Sequence, residues 1–110
     1  MLNECRTALK INGTTLYDAD LCGLMRAGAQ DLATAGVVIP GTVSFTETTA
    51  GITDNSTLKD PLVMRAIFSY VDWQFFRNAQ NADRRRENYE LQKTQLMHAS
   101  AYTDYGGDGE

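Results

Sequence analysis

Residues 60–77 read DPLVMRAIFSYVDWQFFR, and this stretch predicts the central helix of the protein. Asp60 is suited to cap the helix, because its carboxylate can accept hydrogen bonds from the free backbone N–H groups of the first turn. Pro61 follows at the first helical position, where its missing N–H costs nothing. Side chains then recur at steps of three and four, the period of an amphipathic helix. The members of this stripe are Leu62, Ala66, Ile67, Tyr70, Val71 and Gln74.

Further large side chains widen the apolar surface of this helix beyond one stripe. Trp73 and Phe75 are two residues apart, so they point in nearly opposite directions on a helix. At least one of them should therefore lie on a second surface, such as a contact between subunits. We place Trp73, Phe75 and Phe76 in a candidate interface on this ground.

Length and charge limit the class of protein. The chain has 110 residues, which is enough for one hydrophobic core and hardly enough for two. Its net charge of −4 argues against attachment of the whole surface to nucleic acid or to an anionic membrane. No segment approaches the roughly 20 apolar residues of a membrane span. No basic region followed by an apolar run opens the chain, so we expect a protein made in the cytoplasm.

Helical periods on both sides of this stretch predict three further helices. A short first helix covers residues 2–9. A second begins at Asp18 or Asp20, either of which can cap it, and ends near Ala35 with Gly36 at the C′ position. Glycines 23 and 28 within it either allow a close helix–helix approach or are simply tolerated.

The fourth helix is expected from about residue 83 to residue 100, with Asp83 as its cap. Tyr89, Leu96 and Ala99, with Gln92 between them, define one stripe, and most other positions are charged or carry amides. This composition predicts an amphipathic helix that is half buried.

Residues 37–59 differ in kind from the helices. Residues 37–39 and 42–46 predict two short β segments around a turn at Pro40-Gly41, and residues 48–59 have the composition of a loop. An isolated hairpin is marginally stable, so something must support it. We favour a neighbouring copy over the domain itself. The candidate interface residues in this segment are Val38, Ile39, Val43 and Phe45.

Arg84, Arg85 and Arg86 form the sharpest charge feature. They either contact a partner or form a solvated helix start that pairs with nearby glutamates. Three cations at the N-terminal end of a helix oppose its dipole, which makes a partner more credible. We place a protein carboxylate ahead of DNA as that partner.

The last residues are acidic and rich in glycine. Residues 104–110 are expected to form a flexible tail, and Tyr102 and Tyr105 are candidate docking residues. The alternative is an ordinary frayed terminus.

Catalytic chemistry has little support in the sequence. Cys5 and Cys22 fit buried, reduced thiols, with a disulfide between them as the less favoured alternative. His98 has no partner histidine, and a zinc site would need about four such ligands. No glycine-rich phosphate loop is present. We therefore expect no metal, no cofactor and no enzymatic activity.

Several short blocks, in order along nearly the whole chain, match one known family. They are ALKI at 8–11, YDADL at 17–21, DLATAGV at 31–37, DPLVMRAI at 60–67 and NAD at 81–83, followed by the helix with Tyr89 and Leu96. Together these blocks resemble the head–tail connector (adaptor) proteins of tailed bacteriophages, which are often labelled DNA-packaging connectors. The DPLVMRAI block is the strongest of them.

This resemblance implies a structural virion protein at the head–tail interface. Its subunits would form a ring, a dodecamer by family, beneath the portal protein. The ring would extend the DNA channel, help to retain packaged DNA, and present a surface to the next head-completion or tail protein. DNA would pass without specific binding, and no membrane would be involved.

We therefore expect a mainly α fold, a small bundle of about four helices with a long loop or β-hairpin between helices 2 and 3. One domain at 1–103 would carry the 37–59 insertion and the 104–110 tail. The alternatives are a small helical nucleic-acid-binding or regulatory module that uses Arg84–Arg86, or another tail-completion protein.

Overall fold

The structure is a computed structural model of the chain, and it describes residues 1–99 and Tyr102. Within these residues there are four helices and one two-stranded antiparallel hairpin. The prediction of a four-helix fold with a hairpin between helices 2 and 3 is confirmed. The elements in chain order are α1 (Leu2–Ala8), α2 (Asp18–Thr34), β1 (Phe45–Thr48), β2 (Gly51–Asp54), α3 (Pro61–Phe75) and α4 (Ala82–His98).

Helix α3 is central, because both α2 and α4 pack against it. Its start is as predicted: Asp60 Oδ1 accepts hydrogen bonds from the backbone N–H groups of Leu62, at 3.0 Å, and Val63, at 3.1 Å. The stripe is shifted at this end, since Val63 is fully buried whereas Leu62 is 52% exposed. Leu62, the first member of the predicted stripe, therefore lies at the surface. The faces covered by α2 and α4 centre on Val63, Ala66, Ile67 and Val71.

Helix α2 begins without a side-chain cap, so the prediction that Asp18 or Asp20 caps it is wrong. Asp18 lies in the first turn and its carboxylate is used elsewhere. Arg6 donates from Nε to Oδ1 at 2.8 Å and from Nη2 to Oδ2 at 2.7 Å, which ties α1 to α2. The helix ends as predicted, with Gly36 at φ +99° and the Val37 N–H bonded to the Leu32 carbonyl.

The two glycines of α2 have different surroundings. A Cβ added at Gly28 would lie 3.0 Å from Tyr70 Cδ1, so this glycine allows α2 and α3 to approach closely. A Cβ added at Gly23 would meet nothing within 4 Å. The predicted close approach is thus found at Gly28, and Gly23 is a tolerated helix glycine.

We expect Gly23→Ala and Gly28→Val to change stability in opposite directions. Alanine at 23 should raise the free energy of unfolding by up to about 1 kcal/mol, because it suits a helix better than glycine. Valine at 28 should lower it by about 1–3 kcal/mol, because its methyl groups overpack against the Tyr70 ring. Urea denaturation of the two variants measures both effects on the same helix. Equal effects would contradict the assignment of Gly28 as the contact point.

Helix α4 begins one residue earlier than expected. Asn81 occupies the cap position without a side-chain hydrogen bond, and Asp83 lies in the first turn, so the prediction of an Asp83 cap is wrong. From the first turn, the negative charge of the Asp83 carboxylate still stabilises the helix, because it lies near the positive end of the helix dipole. Tyr89, Gln92 and Leu96 of the predicted stripe are the buried residues of the helix, whereas Ala99 is its C-cap residue and is half-buried.

The hairpin lies further along the chain than predicted. Strands β1 and β2 pair from Phe45↔Asp54 to Thr48↔Gly51, so the turn is at residues 49–50 rather than at Pro40-Gly41. Gly41 has another use, because a Cβ there would lie 2.7 Å from Leu58 Cα. Its neighbour Thr42 accepts backbone hydrogen bonds from residues 57 and 58. The Pro-Gly pair therefore belongs to a close backbone crossing at the base of the hairpin.

The same chain supplies the support that we expected from a neighbouring copy. Arg26 donates from Nη2 to the Phe45 carbonyl at 2.8 Å, and its guanidinium lies 5.6 Å from the centre of the Phe45 ring. Asp54 Oδ2 accepts from the Leu2 N–H at 2.8 Å and from the Met1 amine at 2.5 Å. The hairpin is thus tied to α2 at one strand and to α1 at the other.

We expect the attachment of the hairpin to α1 to weaken in acid through Asp54. Burial alone would raise the pKa of this carboxyl, but hydrogen bonds from the Met1 amine, the Leu2 N–H and Ser56 outweigh it and lower the pKa to about 2. A depressed folded-state pKa gives stability above the unfolded value of about 3.9, and this stability is lost as the pH falls toward 2. Amide chemical shifts of Leu2 and Thr53 should follow this titration.

Asp54→Asn is the control for that titration, because it cannot be protonated in this range. The variant should show a loosened hairpin at neutral pH and no further change between pH 4 and pH 2 at these amides. An unchanged titration in the variant would mean that another group controls the attachment.

Candidate interaction surfaces

Five large apolar side chains stand out by their exposure among the described residues. A large apolar side chain left in water is informative when it clusters with others, because such clusters mark interaction sites. The exposed fractions are 77% for Leu16, 37% for Tyr17, 44% for Val38, 52% for Leu62 and 59% for Leu91. Four of them fall into two clusters at opposite ends of α3, and Leu91 stands apart on α4.

The first cluster, the Leu62 patch, consists of Leu62, Val38 and Tyr102 at the start of α3. Tyr102 holds the patch together. Its hydroxyl donates to Asp60 Oδ2 at 2.8 Å, and its carbonyl accepts from the Val38 N–H at 2.7 Å. The hydrogen bond to Asp60 raises the pKa of the Tyr102 hydroxyl. The capping residue of α3 therefore also fixes a residue that follows α4.

The second cluster, the Leu16 patch, consists of Leu16, Tyr17 and Phe75. Tyr17 and Phe75 pack edge to face, with ring centroids 5.2 Å apart and an angle of 81° between the rings. An open groove of about 560 Å³ adjoins these rings, and Leu24 and Arg77 also line it. The patch joins the loop before α2 to the end of α3.

The two patches are well separated and differ in composition. Leu62 and Phe75 lie 13 positions apart on one helix, which at 1.5 Å per residue is about 20 Å. The Leu62 patch is mainly aliphatic with a single tyrosine and adjoins a small pocket of about 70 Å³, whereas the Leu16 patch is mainly aromatic and adjoins the larger groove. They are therefore two different surfaces of one molecule.

The three aromatic residues predicted to form an interface, Trp73, Phe75 and Phe76, do not share one surface. Trp73 packs inward, with its ring centroid 5.8 Å from that of Tyr70 and 6.0 Å from that of Tyr89. Phe75 lies in the Leu16 patch. Phe76 packs on Phe75 and lies beneath the Arg85 guanidinium, 4.6 Å from it. These three aromatics are all partly buried, and Phe75 is the one that contributes to a patch.

The three arginines have different surroundings. Arg85 donates to Asp72 Oδ1 at 2.5 Å and to Asn81 Oδ1 at 3.2 Å, so its partner is a carboxylate of α3 rather than the glutamates of its own helix. Arg84 and Arg86 are exposed and form no ion pair with any described residue. Two cations, not three, therefore face solvent at the start of α4.

The candidate residues of the 37–45 segment also separate. Val38 belongs to the Leu62 patch, whereas Ile39 and Val43 line a groove of about 390 Å³ against α2. Phe45 is only 7% exposed and belongs to the core, so it offers no surface in this fold. Tyr105 and the 104–110 tail lie outside the described residues.

Leu16, Tyr17 and Leu62 are surface residues that the sequence did not single out as such. Leu62 fits the helical period, and only the packing of α2 and α4 shows that it faces out. Leu16 and Tyr17 precede α2 in a polar loop, where an apolar pair without a period is a weak signal.

Other kinds of site have no counterpart in the described part of the chain. No cluster of three or more histidine, cysteine or acidic side chains there is arranged to hold a metal ion. Cys5 and Cys22 are both buried and both free. None of the helices that the structure describes is long and apolar enough to cross a membrane.

Comparisons with known proteins found no similarity on which to draw. No protein-family model matches the sequence, and neither do any curated protein or any solved structure. The likeness to connector proteins therefore rests on the short blocks of sequence alone.

Proposed function

We propose that this protein is the subunit of a head–tail connector ring in a tailed bacteriophage, bound beneath the portal protein. One observation supports this most strongly, namely the two unlike apolar patches at opposite ends of α3. The order of the sequence blocks along the chain supports the phage assignment. Ring assembly and the role in a phage are two separate proposals.

A ring requires two different contact surfaces on each subunit. In a head-to-tail assembly, one patch of each copy meets the other patch of the next, and the assembly closes if the rotation between copies allows it. A two-fold dimer would instead use one self-complementary patch. The Leu16 patch and the Leu62 patch are unlike in shape and composition, so they fit the head-to-tail arrangement.

The charge of the protein also suits a channel through which DNA passes. Tight binding to DNA depends on cations that neutralise its phosphates. The chain carries a net charge of −4, and Arg85 is paired with Asp72. A ring built from such subunits would let DNA slide rather than hold it. The same facts weigh against a nucleic-acid-binding module that depends on the three arginines.

The test is electron microscopy of the purified protein mixed with the portal protein of the same phage, with each protein alone as a control. We expect an added ring beneath the portal, and class averages would give its symmetry. A ring formed by this protein alone would support intrinsic assembly through the two patches.

Two results would overturn the proposal. One is the absence of any ring and of any complex with the portal protein, even when both proteins are mixed at high concentration. The other is binding to duplex DNA with a steep dependence on salt, which indicates phosphate neutralisation by arginines and favours the nucleic-acid module.

A further inference from the structure

A groove between α1 and α3 lies outside both apolar patches. It has a volume of about 450 Å³ and is lined by one continuous face of α3, with α1 on one side and Asn88 of α4 on the other. The α3 residues follow a helical spacing, and no other part of the described chain covers them. They are Pro61, Met64, Arg65, Phe68, Ser69 and Asp72.

The floor of the groove is apolar. Leu9 belongs to the core, and Met64 and Phe68 are half-buried and pack against that core. The volume lies within the range of pockets that hold small ligands, about 300–1,000 Å³. The groove can therefore take an aromatic side chain with its neighbouring backbone.

The rim of the groove is positive once its internal ion pairs are counted. Of its two carboxylates, Asp72 pairs with Arg85 at 2.5 Å, whereas Glu4 lies 2.9 Å from the Met1 amine and shares that one cation with Asp54. The two cations, Lys59 and Arg65, are exposed and form no ion pair with any described residue. These two cations thus face one carboxylate that is only partly compensated, so the rim keeps a net positive charge, which favours an acidic occupant.

Residues 103–110 carry an aromatic side chain and carboxylates, which match the apolar floor and the positive rim of the groove. They follow Tyr102, which lies close to the groove. Tyr102 lines a smaller pocket of about 70 Å³ that shares Arg65 with the groove. The eight residues that follow it contain Asp104, Tyr105, Asp108 and Glu110. A fully extended chain spans about 3.3–3.6 Å per residue, so Tyr105 reaches about 10 Å from Tyr102. The groove is thus within reach of a tyrosine flanked by carboxylates.

We propose that the α1/α3 groove is a docking surface for a short acidic peptide segment carrying a tyrosine, and that its occupant is residues 103–110 of the same chain. Tyr105 occupies the apolar floor, and the tail carboxylates pair with Lys59 and Arg65. This docking involves neither the Leu16 nor the Leu62 side chain, and it does not depend on ring assembly.

The test uses the full-length protein with a nitroxide spin label at Gly107→Cys. The native thiols do not compete for the label, because both are buried, and burial raises the pKa of Cys5 to about 12 and of Cys22 to about 11. The label broadens the amide signals of residues near it. We expect selective loss of signal at Met64, Phe68 and Ser69, while amides near Gly23 keep their intensity.

A matched pair of charge reversals decides whether the groove holds the tail. Lys59→Glu with Arg65→Glu should restore the groove signals, because the occupant is then repelled. Arg84→Glu with Arg86→Glu makes the same change in net charge outside the groove and should leave the broadening intact. All four positions are exposed, so the fold should tolerate each pair.

Three outcomes would overturn the proposal. They are broadening that is absent, broadening that is unaffected by the groove reversals, and broadening that is spread evenly over the molecule. A tail from another copy is detected in a mixture of two proteins. One carries the nitroxide at natural isotope abundance, and the other carries ¹⁵N but no nitroxide. Selective broadening of the groove signals in that mixed sample would show docking between copies and would reject docking within one chain.

Discussion

Replacing Tyr89 with alanine should bring the fold close to unfolding. Tyr89 is 1% exposed and joins three helices. Its ring packs edge to face on Tyr70, with centroids 5.2 Å apart, and stacks on Trp73 at 6.0 Å. Its hydroxyl donates to Asp31 of α2, and the Lys93 ammonium lies 5.7 Å from the ring centre. Removal of the ring leaves a cavity where α2, α3 and α4 meet.

The expected cost is about 3–5 kcal/mol, as for other buried aromatics changed to alanine. A small domain has a total stability of about 5–15 kcal/mol, so this one side chain accounts for a large part of it. Urea denaturation followed by tryptophan fluorescence measures the change. Trp73 is the single tryptophan of the chain and stacks on the substituted ring, so it reports directly on this cluster.

Two further variants separate packing from hydrogen bonding. Tyr89→Phe keeps the ring and loses the hydrogen bond to Asp31, which should cost about 0.5–1.5 kcal/mol. Asp31 keeps Lys93 as a partner at 3.2 Å in that variant. Leu91→Ala, on the same helix and 59% exposed, should change stability by no more than about 0.5 kcal/mol. A Tyr89→Ala protein as stable as Leu91→Ala would show that this cluster does not hold the helices together.

Local backbone chemistry explains which parts of the fold could be predicted. The Asp60-Pro61 start of α3 and the Gly36 end of α2 depend on residues adjacent in sequence, and both are as predicted. The stripe of α4 was also correct, because a helix with few apolar residues offers only one face to bury. Such features need no knowledge of distant contacts.

Distant contacts decide the features that were missed. The turn signal at Pro40-Gly41 did not place the hairpin, which turns at residues 49–50. With that register, Phe45 reaches the core and Asp54 reaches Leu2. The first helix turn offers both Leu62 and Val63 to the core, and the positions of α2 and α4 select Val63. The members of the two apolar patches could not be predicted for the same reason, because contacts between residues far apart in sequence bring them together.

The second large effect should be on assembly rather than on stability. Leu16→Asp and Leu62→Asp each place a charge in one patch, at its most exposed apolar side chain. Leu16 is 77% exposed and Leu62 is 52% exposed. The free energy of unfolding of each variant should therefore lie within about 0.5 kcal/mol of that of the unaltered protein. A hot-spot residue of an interface is worth about 2 kcal/mol or more, which is roughly 30-fold in affinity, and a buried unpaired carboxylate adds to that loss. Each variant alone should therefore fail to form rings with the portal protein.

Leu91→Asp is the matched control, because Leu91 is 59% exposed and belongs to neither patch. It adds the same charge at a similar exposure and should leave ring formation unchanged. Electron microscopy counts rings on the portal in all three samples. Loss of rings with Leu91→Asp as well would mean that added charge, and not the patches, controls assembly.

Mixing the two patch variants distinguishes a head-to-tail contact from a two-fold one. Leu16→Asp subunits keep the Leu62 patch, and Leu62→Asp subunits keep the Leu16 patch, so one intact contact forms between unlike subunits and cannot propagate. The mixture should give one-to-one heterodimers in sedimentation experiments and no larger species, whereas each variant alone stays monomeric. If the contact were two-fold, the variant that keeps the self-complementary patch would dimerise with itself and mixing would add nothing. That result would reject the two-patch ring whatever the protein binds in the virion.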